Sequence, residues 1–321
     1  MLPEAGRLQR DIEFLSSDGL EGRLTGTPGT DSAAAFIARR AESMGLRAVT
    51  VDTASADCRV LPAPARCGSF LQKFVARGVE MVRAGHPDGV PTQNVVAMVA
   101  GRDPALRGQY LVIGAHYDHL GRSTAGALDP EAKNSIRNGA DDNASGTAAV
   151  MELARLIAAQ PSKRSIIFVH FGAEELGLLG SQYFVEHSPV PLDSIVAMVN
   201  FDMIGRLRND RLIVYGVASA TEMRSILDSA NGASGLAVTA VGDGFGASDH
   251  ASFYAKGIPV LHFFTDFHED YHRASDHADK INAVGEARVL ALAERAVRAI
   301  ADRPSRLTPV RVAAPAGSRP H

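Results

Sequence analysis

Asn138-Gly139-Ala140-Asp141-Asp142-Asn143-Ala144-Ser145-Gly146 sets two adjacent carboxylates among small, turn-permissive residues, directly before an apolar segment that runs to Ala159. Taken alone, the stretch reads as a turn followed by a helix N-cap, since Asp and Asn oxygens accept hydrogen bonds from the free N–H groups of a first helical turn. A carboxylate at such a junction can equally face a cation. What the neighbouring segments deliver to the same place decides between the two, and it decides the fold as well.

Working outward, the segment 144–159 has a helical pattern and lies between two apolar runs. Tyr110-Leu111-Val112-Ile113-Gly114-Ala115 precedes it, and Ile166-Ile167-Phe168-Val169 follows. Uninterrupted runs of this kind suit strands covered on both faces. The alternation continues with a helix over 178–186, strands at 195–201 and 212–215, and a helix near 222–230. A strand at 238–241, a short helix near 249–255, a strand at 259–264 and a long helix over 283–301 complete it. Upstream, helices are expected at 7–17 and from Thr30 or Asp31 to Gly45, then short strands at 46–51, 70–75, 80–82 and 94–99. The sum is an α/β fold, a mostly parallel (mixed) central sheet with helices on both faces. Residues 1–302 read as a single catalytic domain, and 303–321, rich in Pro, Arg and Ala, as an extended or disordered tail.

The 321 residues suffice for a sizeable core, and 45% hydrophobic with 21% charged residues is ordinary for a globular enzyme. A net charge of −3 offers no basic footprint for nucleic acid. No apolar run reaches the roughly 18–20 residues that span a bilayer, and Met1–Arg10 lacks the apolar core of a signal peptide. Cys58 and Cys67 sit close together in a Pro/Ala-rich segment. They fit either a reduced pair or a small disulfide loop worth about 2–3 kcal/mol, and their proximity leans towards an exported protein.

In a sheet of this type ligands bind beyond the carboxyl ends of the strands. There the sequence offers His116-Tyr117-Asp118-His119, Glu174-Glu175, Asp202, and, after the last strand, Phe267-His268-Glu269-Asp270-Tyr271-His272. Singly, each has a bland explanation: a satisfied strand-end histidine, a helix-start acid favoured by the macrodipole, a cap. Together with Asp142 they would gather so many carboxylates on one rim that mutual repulsion calls for a compensating divalent metal pair.

These stretches resemble peptidase family M28, the co-catalytic two-zinc aminopeptidases. The likeness rests on His116-Tyr117-Asp118, Gly139 to Gly146, Ala173-Glu174-Glu175, Asn200-Phe201-Asp202-Met203 and Asp270-Tyr271-His272. Leu20-Glu21-Gly22-Arg23 with Thr25-Gly26-Thr27, Ser248-Asp249-His250 with Phe253, and Asp279-Lys280 extend it, in order, over residues 10–300. The resemblance implies a zinc-exopeptidase fold and two Zn2+ ions, one held by His116 and Asp202, the other by Glu175 and His272, with Asp142 bridging both. It implies a cis peptide after Asp142, Glu174 as general base, Asp118 hydrogen-bonding His116 from behind, and Tyr271 as a candidate oxyanion donor. The substrates implied are peptides with a free N-terminus.

His119 and His268 remain alternative ligands and Asp141 an alternative bridge. Asp249 and His250 are expected in the site wall, and His170 in the core. A glutaminyl cyclase, a single-zinc acyltransferase on a similar fold, is the rival reading, and a non-catalytic relative the third. Family members often carry an inserted protease-associated domain, for which residues 46–109 are too few.

Overall fold

A computed structural model describes residues 1–51, 68–83 and 85–311. The strands are β1 (Arg47–Ala48), β2 (Thr50–Val51), β3 (Gly68–Ser69), β4 (Leu71–Ala76), β5 (Val90–Val99), β6 (Tyr110–His116), β7 (Ser165–Phe171), β8 (Ile195–Phe201), β9 (Arg211–Tyr215), β10 (Ala237–Ala240) and β11 (Val260–Phe264). The helices are α1 (Ala5–Leu15), α2 (Pro28–Ser43), α3 (Val79–Arg83), α4 (Gly146–Ala159), α5 (Leu179–Glu186), α6 (Met223–Asn231), α7 (His250–Ala255) and α8 (Ala283–Ala301).

Nine strands form one sheet in the order β1-β5-β7-β6-β8-β11-β9-β10, with β4 also paired to β5; β2 and β3 make a separate ribbon. The centre, β7-β6-β8-β11, is parallel, while β5–β7, β4–β5 and β11–β9 are antiparallel. The sheet is therefore mixed, and the four central strands all end on one edge.

Alternation along β6 shows why the apolar runs are continuous. Leu111 and Ile113 enter the core shared with α1, α2, α4 and α8, whereas Val112 enters the one closed by Phe184 of α5 and Phe253 of α7. Each such buried side chain contributes about 1.5–3 kcal/mol of transfer free energy. Helix α4 is buried along most of its length because it lies between the sheet and the helices α1 and α8.

Several expectations need correction. Residues 79–83 are a helix, where a strand was expected at 80–82; the three residues span less than one turn and have no partner strand among the described residues. Strand β5 begins at Val90, where β4 pairs with it, and α2 begins at Pro28, whose fixed φ suits a first helical position. Helix α4 begins at Gly146, because Ala140–Ser145 form a wide turn with non-helical backbone at Asp142 and Asn143. Residues 303–311 run extended but are not loose. The Thr221 N–H donates to Thr308 O (3.0 Å), the Val310 N–H to Ser219 O (2.8 Å), and Leu307 is buried. Cys58, Cys67 and residues 312–321 lie outside the described residues.

The turn after β7 carries Glu174 and Glu175, and α5 packs against it through Gly180. A β-carbon there would collide with the Gly172 carbonyl oxygen. Gly180→Ala should therefore cost about 1–3 kcal/mol as a small-to-large change in a packed interior. Urea denaturation reads it; an unshifted midpoint would show that α5 does not fix this turn.

Candidate metal centre

Every strand of the parallel centre ends in, or shortly before, a polar residue on the same edge. His116 is the last residue of β6, and Glu174 and Glu175 follow β7. Asp202 follows β8, and His272 sits in the loop after β11. Asp142 enters from the wide turn before α4, and its peptide with Asn143 is cis.

The geometry divides this set into two halves around Asp142. His116 Nε2 lies 3.3 Å from Asp142 Oδ1 and 3.4 Å from Asp202 Oδ1. His272 Nε2 lies 3.1 Å from Asp142 Oδ2 and 3.2 Å from Glu175 Oε2. One carboxyl oxygen of Asp142 thus faces each half. Donor atoms of His116, Glu174 and Asp202, and again of His116, Asp142 and Glu175, all fall within 4.8 Å of one another. Among the described residues no lysine or arginine lies within 4.0 Å of these carboxylates, and Asp202 Oδ1 is buried without a hydrogen-bond donor. Imidazole nitrogens and carboxylate oxygens in this number suit zinc.

The protein's own groups tune the site in opposite directions. Burial, reinforced by Glu175, Asp249 and Asp202, pushes the Glu174 carboxyl well above the usual range. Burial acts on Glu175 too, but His119 and His272 hold it down to about 2. Asp142 is held well below its ordinary value by His116 and His272 against the effect of burial. Burial opposes charge on His116, yet Glu174, Asp202 and Asp142 push it well above 6.5; for His272 the carboxylates Asp142 and Glu175 raise it to about 11.

Asp118 acts differently from the expectation. His116 Nδ1 is 3.1 Å from the backbone carbonyl of Asp118 but 3.8 Å from its carboxylate. The carboxylate instead accepts the Glu174 N–H (3.1 Å) and the Thr25 hydroxyl (3.0 Å). It therefore holds the backbone of Glu174, and its carbonyl orients His116.

The alternatives point elsewhere. Asp141 accepts the Gly205 N–H at 2.7 Å and sits 3.1 Å from His268 Nε2, so both belong to loop anchoring. His119 is adjacent, with Nδ1 2.7 Å from Glu175 Oε1 and 3.9 Å from Asp142 Oδ2, and supports Glu175 from behind. His170 is buried within β7.

Three supporting residues lie in stretches that carry the family resemblance but had no role assigned from the sequence. Ser248 donates to Asp202 Oδ2 (2.7 Å) and is itself held by Asn200 Nδ2 (2.8 Å). Arg23, fully buried, donates to the carbonyls of Tyr117 (2.7 Å), Asn138 (2.7 Å), Gly139 (2.8 Å) and Leu15. One guanidinium thus ties the segment after β6 to the turn that carries Asp142. Its signal in the sequence was the Leu20–Thr27 stretch that carries part of the family resemblance.

A cavity of about 470 Å³ opens over the two halves. Its wall is mostly apolar, with Met203, Tyr215, Phe245, Phe264 and Phe267. His250 and His262 stack in it at 4.2 Å, and burial keeps both neutral, His250 down to about 3. Tyr271 lines the mouth, stacked on His272 at 3.9 Å. Asp249 is buried behind the wall and does not line the cavity.

The sequence profile of Peptidase family M28 matches residues 94–297. The chain belongs to peptidase family M28. Aminopeptidase YwaD of Bacillus subtilis (strain 168) is 36% identical over 129 residues, 39% of this chain and 28% of that protein. Leupeptin-inactivating enzyme 1 of Streptomyces exfoliatus is 34% identical over 196 residues, 60% of this chain and 40% of that protein. The matched region is thus less than half the length of these two relatives. Among solved structures, a zinc aminopeptidase from Bacillus subtilis superposes with a TM-score of 0.71 at 18% identity, covering 94% of this chain and 96% of that one. The glutaminyl cyclase of Porphyromonas gingivalis gives 0.71 at 18% identity, covering 92% and 98%. At these identities the likeness concerns the fold.

Metal binding should release protons. His272, its pKa raised to about 11 by Asp142 and Glu175, carries a proton at pH 8, and a cation must displace it, so affinity rises with pH. Zinc titration calorimetry of chelator-stripped protein at pH 8 should give heats that depend on the buffer's ionisation enthalpy. Buffer-independent heats would contradict this charge pattern.

Proposed function

We propose that the chain is a metallo-aminopeptidase, removing N-terminal residues from peptides with two zinc ions and Glu174 as general base. The observation that carries this reading is the division of Asp142, one oxygen to His116 and Asp202, the other to Glu175 and His272, with Glu174 beside it. His116, Asp142 and Asp202 would hold one ion, and Asp142, Glu175 and His272 the other. The zinc pair would supply an acidified water and polarise the scissile carbonyl.

The residues do the rest. Glu174, its carboxyl raised while Glu175 stays ionised, takes a proton from the attacking water and passes it to the leaving amine. Asp118 holds Glu174 by its N–H while that transfer occurs. Burial and the surrounding carboxylates push the Tyr271 phenol above its ordinary value, so it keeps its proton and can donate to the developing oxyanion. The acidic rim favours the substrate's free ammonium group, and the apolar cavity favours a bulky uncharged first side chain. Residues 1–302 act as one catalytic unit in this reading.

Single-zinc acyl transfer of the glutaminyl cyclase kind is the second reading, supported by an equal TM-score. The five-donor set divided at Asp142 favours the two-metal hydrolase, and a non-catalytic relative would have no need to keep it.

A panel of aminoacyl chromogenic substrates should show chelator-sensitive release, fastest for bulky uncharged residues and absent on N-acetylated controls. Equal rates with and without the acetyl group would contradict exopeptidase action. Glu174→Gln should retain its zinc while turnover falls by about 10²–10⁴-fold; a near-normal rate would remove Glu174 as base.

A further inference from the structure

The loop between β6 and the Asp142 turn, residues 121–137, does more than cover the surface. It closes on itself where the Arg137 N–H donates to Gly121 O at 2.8 Å. Inside it Arg137 is fully buried: Nε donates to Asp129 Oδ1 and Nη2 to Asp129 O, both at 2.7 Å, while Nη1 reaches Ser123 O at 3.0 Å. A buried guanidinium–carboxylate contact of this kind, with Nε and Nη2 both meeting Asp129 Oδ1, fixes a loop's shape in a way that an exposed ion pair does not.

The clasped loop then meets His272 at two points and Ala274 at a third. Gly126 O lies 2.9 Å from His272 Nδ1. The Leu128 N–H donates to His272 O at 3.0 Å, and the Ala274 N–H donates to the second oxygen of Asp129 at 2.8 Å. His272 itself has φ +53, a left-handed backbone that a non-glycine residue keeps only where its surroundings hold it. Asp129 thus joins both ends of the arrangement, one oxygen on Arg137 and the other on the backbone two residues beyond His272.

We propose that the Asp129–Arg137 clasp is a positioning device for His272: it places the Gly126 carbonyl to accept a hydrogen bond from Nδ1–H, so that Nε2 faces Asp142 and Glu175. The inference rests on the two-zinc reading and assigns residues that do not touch the metals. Gly126 O does for His272 what Asp118 O does for His116. Orienting contacts of this kind typically change metal affinity by about 10–100-fold when lost.

The test is zinc affinity, read by competition with a chromogenic chelator, for the wild type, Asp129→Asn and the double variant Asp129→Ala/Arg137→Met. The double variant leaves no buried charge unpaired, so it separates clasp loss from misfolding. The expected result is selective: one zinc per chain binds as in the wild type and the other about 10–100-fold more weakly, with an unchanged circular dichroism spectrum. Unchanged affinity at both sites, or equal weakening of both, would overturn the proposal. A second measurement needs no variant. In zinc-loaded, 15N-labelled wild-type protein, His272 should carry its proton on Nδ1 and bind metal through Nε2; the reverse tautomer would also overturn it. Wild-type protein that takes up no zinc would instead bring down the reading of the site itself, and this inference with it.

Discussion

Asp142, Glu174, Glu175 and Asp202 converge within a few ångströms, and among the described residues imidazoles are the only possible cations at contact distance. Two unit charges 4 Å apart interact by about 4 kcal/mol at the effective dielectric of a protein interior's margin. Several such repulsions at one sheet edge exceed what surface hydrogen bonds offset. The cluster persists only with protons on its histidines or a multivalent cation between its halves. The raised pKa of His116 and His272 and the lowered one of Asp142 express the first solution. The proposed zinc pair is the second.

The surrounding structure serves that constraint. Parallel β7-β6-β8-β11 bring their ends to one edge, and each donor then has a neighbour that fixes it. The Asp118 carbonyl holds His116, Ser248 holds Asp202, His119 backs Glu175, and Gly126 meets His272. Arg23 brings a buried positive charge close to the cluster but spends its donors on backbone carbonyls. Burial pulls its pKa down to about 10, while Asp118 and Asp142 favour its charged form. It thereby offsets part of the acidic charge without blocking an oxygen that a metal would use. The opposite tuning of neighbours Glu174 and Glu175 follows from the same packing: one meets apolar burial and like charge, the other two histidines.

What the sequence made legible follows from the length scale of each signal. Strands β6 and β8 were readable because their apolar runs are long and their burial two-sided, and helix α8 because its apolar residues recur at helical spacing over nineteen residues. The strand ends then gave His116, Glu174, Glu175 and Asp202 as polar residues at the close of such runs. The five-residue helix α3 was misread because the three residues 80–82 are too few to separate a helical turn from a strand. Asp118 was given the wrong partner because the choice between its carbonyl and its carboxylate turns on a difference of less than 1 Å. The Asp129–Arg137 pair was invisible within a polar loop, since nothing in composition distinguishes a buried ion pair from a solvated one. The packed run 303–311 was hidden for a related reason: its Pro and Arg content resembles a free tail, although Leu307 is buried and its backbone is hydrogen-bonded to 219–221.

Anomalous diffraction at the zinc edge from crystals of the full chain grown with zinc tests the central claim most directly. The account predicts two peaks, one between His116 and Asp202, one between Glu175 and His272, each within bonding distance of a different Asp142 oxygen. No peak at this edge of the sheet, or one that leaves Asp142 without a metal contact, would contradict it.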